Sequence, residues 1–79
     1  MIYDIGSRVT IISRDRLCEI SHFWPFVNED MMQYGGKIAT IEDWHMNEER
    51  KRPLYEIDLD DGSYYWSDSM FVKPMARLG

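Results

Sequence analysis

A single cysteine, Cys18, stands in the chain, and one thiol forms no internal disulfide, so the fold has to be held by a core rather than by cross-links. No apolar run approaches the roughly 20 residues that cross a bilayer, and no charged-then-apolar leader opens the chain. The expectation is an intracellular, cytoplasmic protein with no membrane role. Basic residues are also in the minority. Nine Lys and Arg against fourteen Asp and Glu give a formal net charge of −5, which opposes nonspecific attraction to nucleic acid or to an anionic surface. Neither a Gly-rich phosphate loop nor a Ser-His-Asp arrangement is present, so no cofactor is expected. At 79 residues the chain is one domain, residues 1–79. A fold of that size has little concave volume in which to exclude water around a reaction, which argues against an enzyme.

What the chain does hold is a run of strand and turn signals. In Tyr55-Glu56-Ile57-Asp58-Leu59 the apolar residues take alternate positions, the period of a strand with one buried face. Asp61-Gly62 follows, the pair that suits a tight hairpin turn needing positive φ, and Tyr64-Tyr65-Trp66 reads as the returning strand. Ser67 can cap a short helical turn before Phe71-Val72 resumes extended structure, so residues 71–73 form a last strand. Upstream, Val9 and Ile11 alternate within residues 7–13. Ala39 and Ile41 alternate within residues 37–44, which puts Ile38 and Trp44 on the outer face.

The segment between those two strands is too long to be structureless. Asn28 caps a short helix over residues 28–34, with Glu29 and Asp30 in its first turn as the helix dipole favours and Gly35 as its stop. Val27 before the cap can pack on Met32. Residues 45–53, polar, charged and closing on Pro53, read as a loop. Five short strands, a long first loop with a helix, a charged second loop, a tight turn and a helical turn before the last strand give a mainly β fold. The architecture expected is an SH3-like, five-stranded, partly open barrel.

Gly6-Ser7-Arg8-Val9, the run from Met32 through Gly35, Gly36 and Ile38 to Ile41, the stretch from Tyr55 to Gly62, and Trp66 with Met70-Phe71 together carry a family likeness. In them the chain resembles small uncharacterised SH3-like proteins common in phages and prophages. More distantly it is similar to the SH3-like repeats of Mind bomb-type ubiquitin ligases, which bind peptide tails of receptor ligands. The resemblance implies the barrel and, if the chain is phage-encoded, a part in modulating a host protein.

Two clusters suggest metal chemistry only superficially. Asp58, Asp60, Asp61 and Gly62 alternate and then turn rather than spreading ligands over about twelve residues, so these carboxylates are expected to point outward from strand and turn. Cys18 and His22 lie four apart, but two ligands do not make a site, and an inert loop cysteine is the expectation. No metal is expected.

Aromatic residues make up 14% of the chain, more than a core of this length can hold. Phe23, Trp24 and Phe26 crowd one loop around Pro25, Trp44 ends a strand, and Tyr65 faces away from Trp66. These five rings are the candidate binding residues. They either form a surface between loops or close the barrel's open end as a lid. The leading reading is a noncatalytic module that recognises a protein or peptide, or its own copy, through that aromatic surface. The alternative is a nucleic-acid-binding small barrel using a local basic face of Arg8, Arg14, Arg16, Lys37 and the Arg50-Lys51-Arg52 cluster.

Overall fold

The computed structural model describes residues 3–72. Strand β1, Arg8–Thr10, pairs antiparallel with β2, Ile38–Asn47, and β2 pairs antiparallel with β3, Arg52–Ile57. The protein is therefore a small, mainly β domain built on an open three-stranded sheet in the order β1-β2-β3. The fourth and fifth strands expected from the sequence shrink to single bridges, Tyr55 with Trp66 and Ile11 with Phe71. Two further backbone bonds, from Ile12 to the Met70 carbonyl (2.9 Å) and from Val72 to the Thr10 carbonyl (2.7 Å), hold residues 70–72 along β1. Lys73, the end of the expected last strand, lies outside the described residues. A 3-10 turn, Asp68–Met70, joins the two bridged positions.

The charged second loop is much shorter than expected. Residues 45–47 and 52–53 belong to β2 and β3, so only residues 48–51 form the turn. Lys51 takes φ +57° there, and the Arg50 amide donates to Asn47 Oδ1 at 2.8 Å. The Asp61-Gly62 turn follows the sequence reading. Both residues have positive φ, +56° and +76°, and the Ser63 amide donates to the Asp60 carbonyl at 3.0 Å.

Two helices fill the first connection. Helix α1, Arg14–Ile20, stands where the sequence reading expects loop; Ser13 Oγ caps it by accepting from the Arg16 amide, and Leu17 is its fully buried residue. Cys18 is exposed on this helix rather than in a loop. Helix α2, Glu29–Met32, has the expected Asn28 cap, with Oδ1 accepting from the Met31 amide at 3.0 Å. Its terminus divides two tasks between two glycines. Gly36 supplies the left-handed φ of +80°, whereas a Cβ on Gly35 would sit 2.5 Å from the Arg14 amide nitrogen. Close backbone contact, not turn conformation, thus demands glycine at 35, and it clamps the start of α1 against the end of α2.

Inside, Val9, Ile11, Leu17, Met31, Ala39, Ile41, Tyr55, Ile57, Trp66, Met70 and Phe71 form one buried cluster. Tyr3 packs edge-on against Tyr55 and Phe71, with ring centroids 5.6 Å apart in each pair. One expected outward carboxylate is not outward. Asp60 is buried, accepting from Trp66 Nε1 at 2.8 Å and from the Gly62 amide at 3.1 Å. An indole N–H in a core has to find an acceptor, and the turn supplies one.

Candidate functional site

The site begins with a register shift in β2. A bulge between Ile41 and Asp43 adds a residue to the strand, so the alternation of faces inverts beyond it. Trp44, which simple alternation places outside with Ile38, instead stands directly opposite Tyr55 and packs against the core. His45 stands opposite Leu54 on the other face.

Leu54 is the consequence that matters. It precedes a fully buried Tyr55, so it projects from the reverse side of the sheet, yet it is only 7% exposed and lies outside the main core cluster. It is the floor of an open groove of about 300 Å³ on that reverse face. The first connection supplies one wall through Trp24, Pro25 and Phe26, and the cap residue Asn28 and Met31 of α2 extend it. Asn47, Tyr64 and Tyr65 complete the lining.

Each wall is held by its own contacts. The residue 48–51 turn presents Arg50, whose guanidinium lies 5.2 Å above the Trp24 ring, a cation–π distance. Tyr65 is propped edge-on by His45, centroids 4.8 Å apart at 82°, and stays 52% exposed. Tyr64 donates its hydroxyl to Asp30 Oδ2 at 2.7 Å, which ties the turn before Trp66 to α2. That bond to a carboxylate favours the protonated phenol and holds the Tyr64 pKa above its ordinary value of 10.0.

Of the five candidate rings, the fold brings Trp24, Phe26 and Tyr65 together around Leu54. Phe23 is 68% exposed beside them but does not line the groove, and Trp44 is on the opposite face. The rings of residues 23–26 are not members of the main core cluster. They cover Leu54 and leave Phe26 66% exposed. Leu54, Tyr64, Asn28, Asn47 and Met31 line the groove without a place among the candidates, and Arg50, expected only as part of a basic face, stands against Trp24. A signal for Leu54 exists in the sequence: a large aliphatic residue next to a strand position that must face the core has to face out, and needs a cover.

The groove offers ring faces, an aliphatic floor and the side-chain amides of Asn28 and Asn47, a set suited to holding an extended or short irregular segment. Among the described residues no group of three or more His, Cys, Asp or Glu is placed to hold a metal ion, and none of the helices is long and apolar enough to cross a membrane. Comparison of the chain with protein-family models, with curated proteins and with solved structures finds no match.

Proposed function

We propose that the chain is a noncatalytic binding module that takes a peptide segment of another protein in the groove between the first connection and the reverse face of β2 and β3. One observation carries this reading. Phe26 and Tyr65 remain more than half exposed around a buried Leu54, all three outside the main core cluster. Rings held that way give a partner large contact area at small cost in side-chain entropy.

The SH3-like barrel belongs to the same proposal. Its support is the order of elements, with the last bridged residues lying along β1 and Trp66 beside β3 on either side of a 3-10 turn. The resemblance to small phage-type proteins, and with it a host protein as partner, is likewise part of the reading and rests on the sequence stretches that carry it.

Panning a random dodecapeptide library against the wild-type protein tests the proposal. Enriched peptides are expected to lose about tenfold or more in affinity on Trp24→Ala, Phe26→Ala or Tyr65→Ala, each of which should keep its melting temperature. Peptides that bind all three variants like wild type contradict the groove. A single-stranded oligonucleotide bound with a steep salt dependence, and no peptide enriched, gives the nucleic-acid reading instead. Dimerisation of the free protein that Trp24→Ala abolishes assigns the same face to a second copy.

A further inference from the structure

The groove has a direction. Trp66 pairs with Tyr55, so the chain running back from Trp66 to Tyr64 heads away from the residue 48–51 turn. Arg50 on Trp24 therefore marks one end of the groove, and Tyr64 with Asp30 marks the other. The ends carry opposite charge. A guanidinium lying on a ring keeps its edge N–H donors free, and among the described residues neither Arg50 nor Asp30 forms an ion pair. Asp30 uses one carboxylate oxygen for Tyr64, and among the described residues no hydrogen bond is made to the other. Between the ends lies the uncharged floor around Leu54.

From this we infer that the groove selects a bipolar peptide: a carboxylate side chain at the Arg50 end, a Lys or Arg at the Asp30 end, and apolar residues between them. The two charges should therefore be separated by the apolar residues that cover the Leu54 floor. Charge complementarity then fixes the orientation and register of a ligand whose affinity comes from the rings. Reversing the peptide's charges juxtaposes like charges at both ends. The inference rests on the peptide-groove reading above and adds the chemistry of the ligand.

The test is built so that the two can fail separately. Dodecapeptides enriched on the wild-type protein are sequenced, and the strongest is synthesised with its own charges, with Asn and Gln replacing them, and with the charges exchanged. The expected result is an acidic and a basic residue flanking apolar ones, a neutral analogue about tenfold weaker, and an exchanged analogue weaker again. Arg50→Glu should reverse the preference at the acidic position, since that residue sits in an exposed turn. Enriched peptides without the charge pair, or a neutral analogue that binds equally well to the wild-type protein, overturn this inference and leave the groove standing. If no enriched peptide depends on Trp24, both are overturned.

Discussion

Trp66 donates its indole N–H to the Asp60 carboxylate at 2.8 Å, and both residues are buried. The second carboxylate oxygen accepts from Gly62, so one acidic side chain ties the largest core ring to the tight turn. Replacing Asp60 with Ala leaves a buried indole donor and a turn amide without partners. The expected loss is about 2–4 kcal/mol, a large share of the stability of a domain this size. Asp60→Asn keeps an acceptor for the indole and should lose less than half of that. Chemical denaturation of the two variants gives the comparison, and equal losses contradict the assigned bond.

Two glycines should fail for different reasons. Gly62→Val meets a positive φ and a Glu56 Oε1 that would lie 3.1 Å from the new Cβ, so a loss of about 1 kcal/mol or more is expected. Gly62→Asn, which tolerates the same φ, should lose less. Gly35→Ala places a Cβ on the Arg14 backbone and should cost about 1–3 kcal/mol through overpacking, although its φ is not in the left-handed region. A Gly35→Ala protein with unchanged melting temperature would show that α1 is not clamped there.

Burial raises the Tyr55 pKa above its ordinary value of 10.0, against a smaller opposing effect of the hydrogen bond its hydroxyl accepts from the Tyr3 amide at 3.0 Å. The folded state thus keeps the phenol proton more tightly than the unfolded chain. Stability from this group is fully present below pH 10 and is lost as pH rises through the raised folded value. Melting temperatures across that alkaline window should fall more steeply for wild type than for Tyr55→Phe. Parallel curves contradict the shift.

The two half-buried tryptophans should separate stability from binding. Trp44 packs against the core opposite Tyr55, so Trp44→Ala should cost about 1–3 kcal/mol of stability and leave peptide affinity within about twofold. Trp24→Ala should do the reverse. Melting curves and titration of one enriched peptide suffice to check both.

The inversion at the bulge also shows where sequence reading stops. Alternation locates β1, the Tyr55–Ile57 half of β3 and the first half of β2, because those faces meet a core or solvent in the ordinary way, but it misses residues 52–54 and runs on into Asp58-Leu59, which belong to the turn. Counting odd and even positions fails once an extra residue enters the ladder between Ile41 and Asp43, and nothing local in Glu42-Asp43 announces it. Parity therefore puts Trp44 on the wrong face. Asn28-Glu29-Asp30 announces α2 through its cap chemistry. Ser13, Leu17 and Ile20 carry a comparable but fainter pattern for α1, a cap and two apolar residues three apart. Asp60 is illegible for another reason. Its partner, the Trp66 indole, is six residues away across the turn, and only the closed turn brings them together. Half of the groove is visible as surplus aromatics in residues 23–26 and at Tyr65. The rest depends on Leu54, whose role follows from the face β3 presents, and on Tyr64, which its bond to Asp30 holds in place.

The central claim is that ligands meet the Trp24 side of the sheet, and the chain holds three tryptophans whose indole N–H groups can be followed one by one. Titrating an enriched peptide into the ¹⁵N-labelled protein reads them directly. The account predicts that the Trp24 indole signal shifts progressively to saturation, while those of Trp66, bonded to Asp60 in the core, and Trp44, on the opposite face, stay in place. A shift at Trp44 with Trp24 unmoved would contradict it.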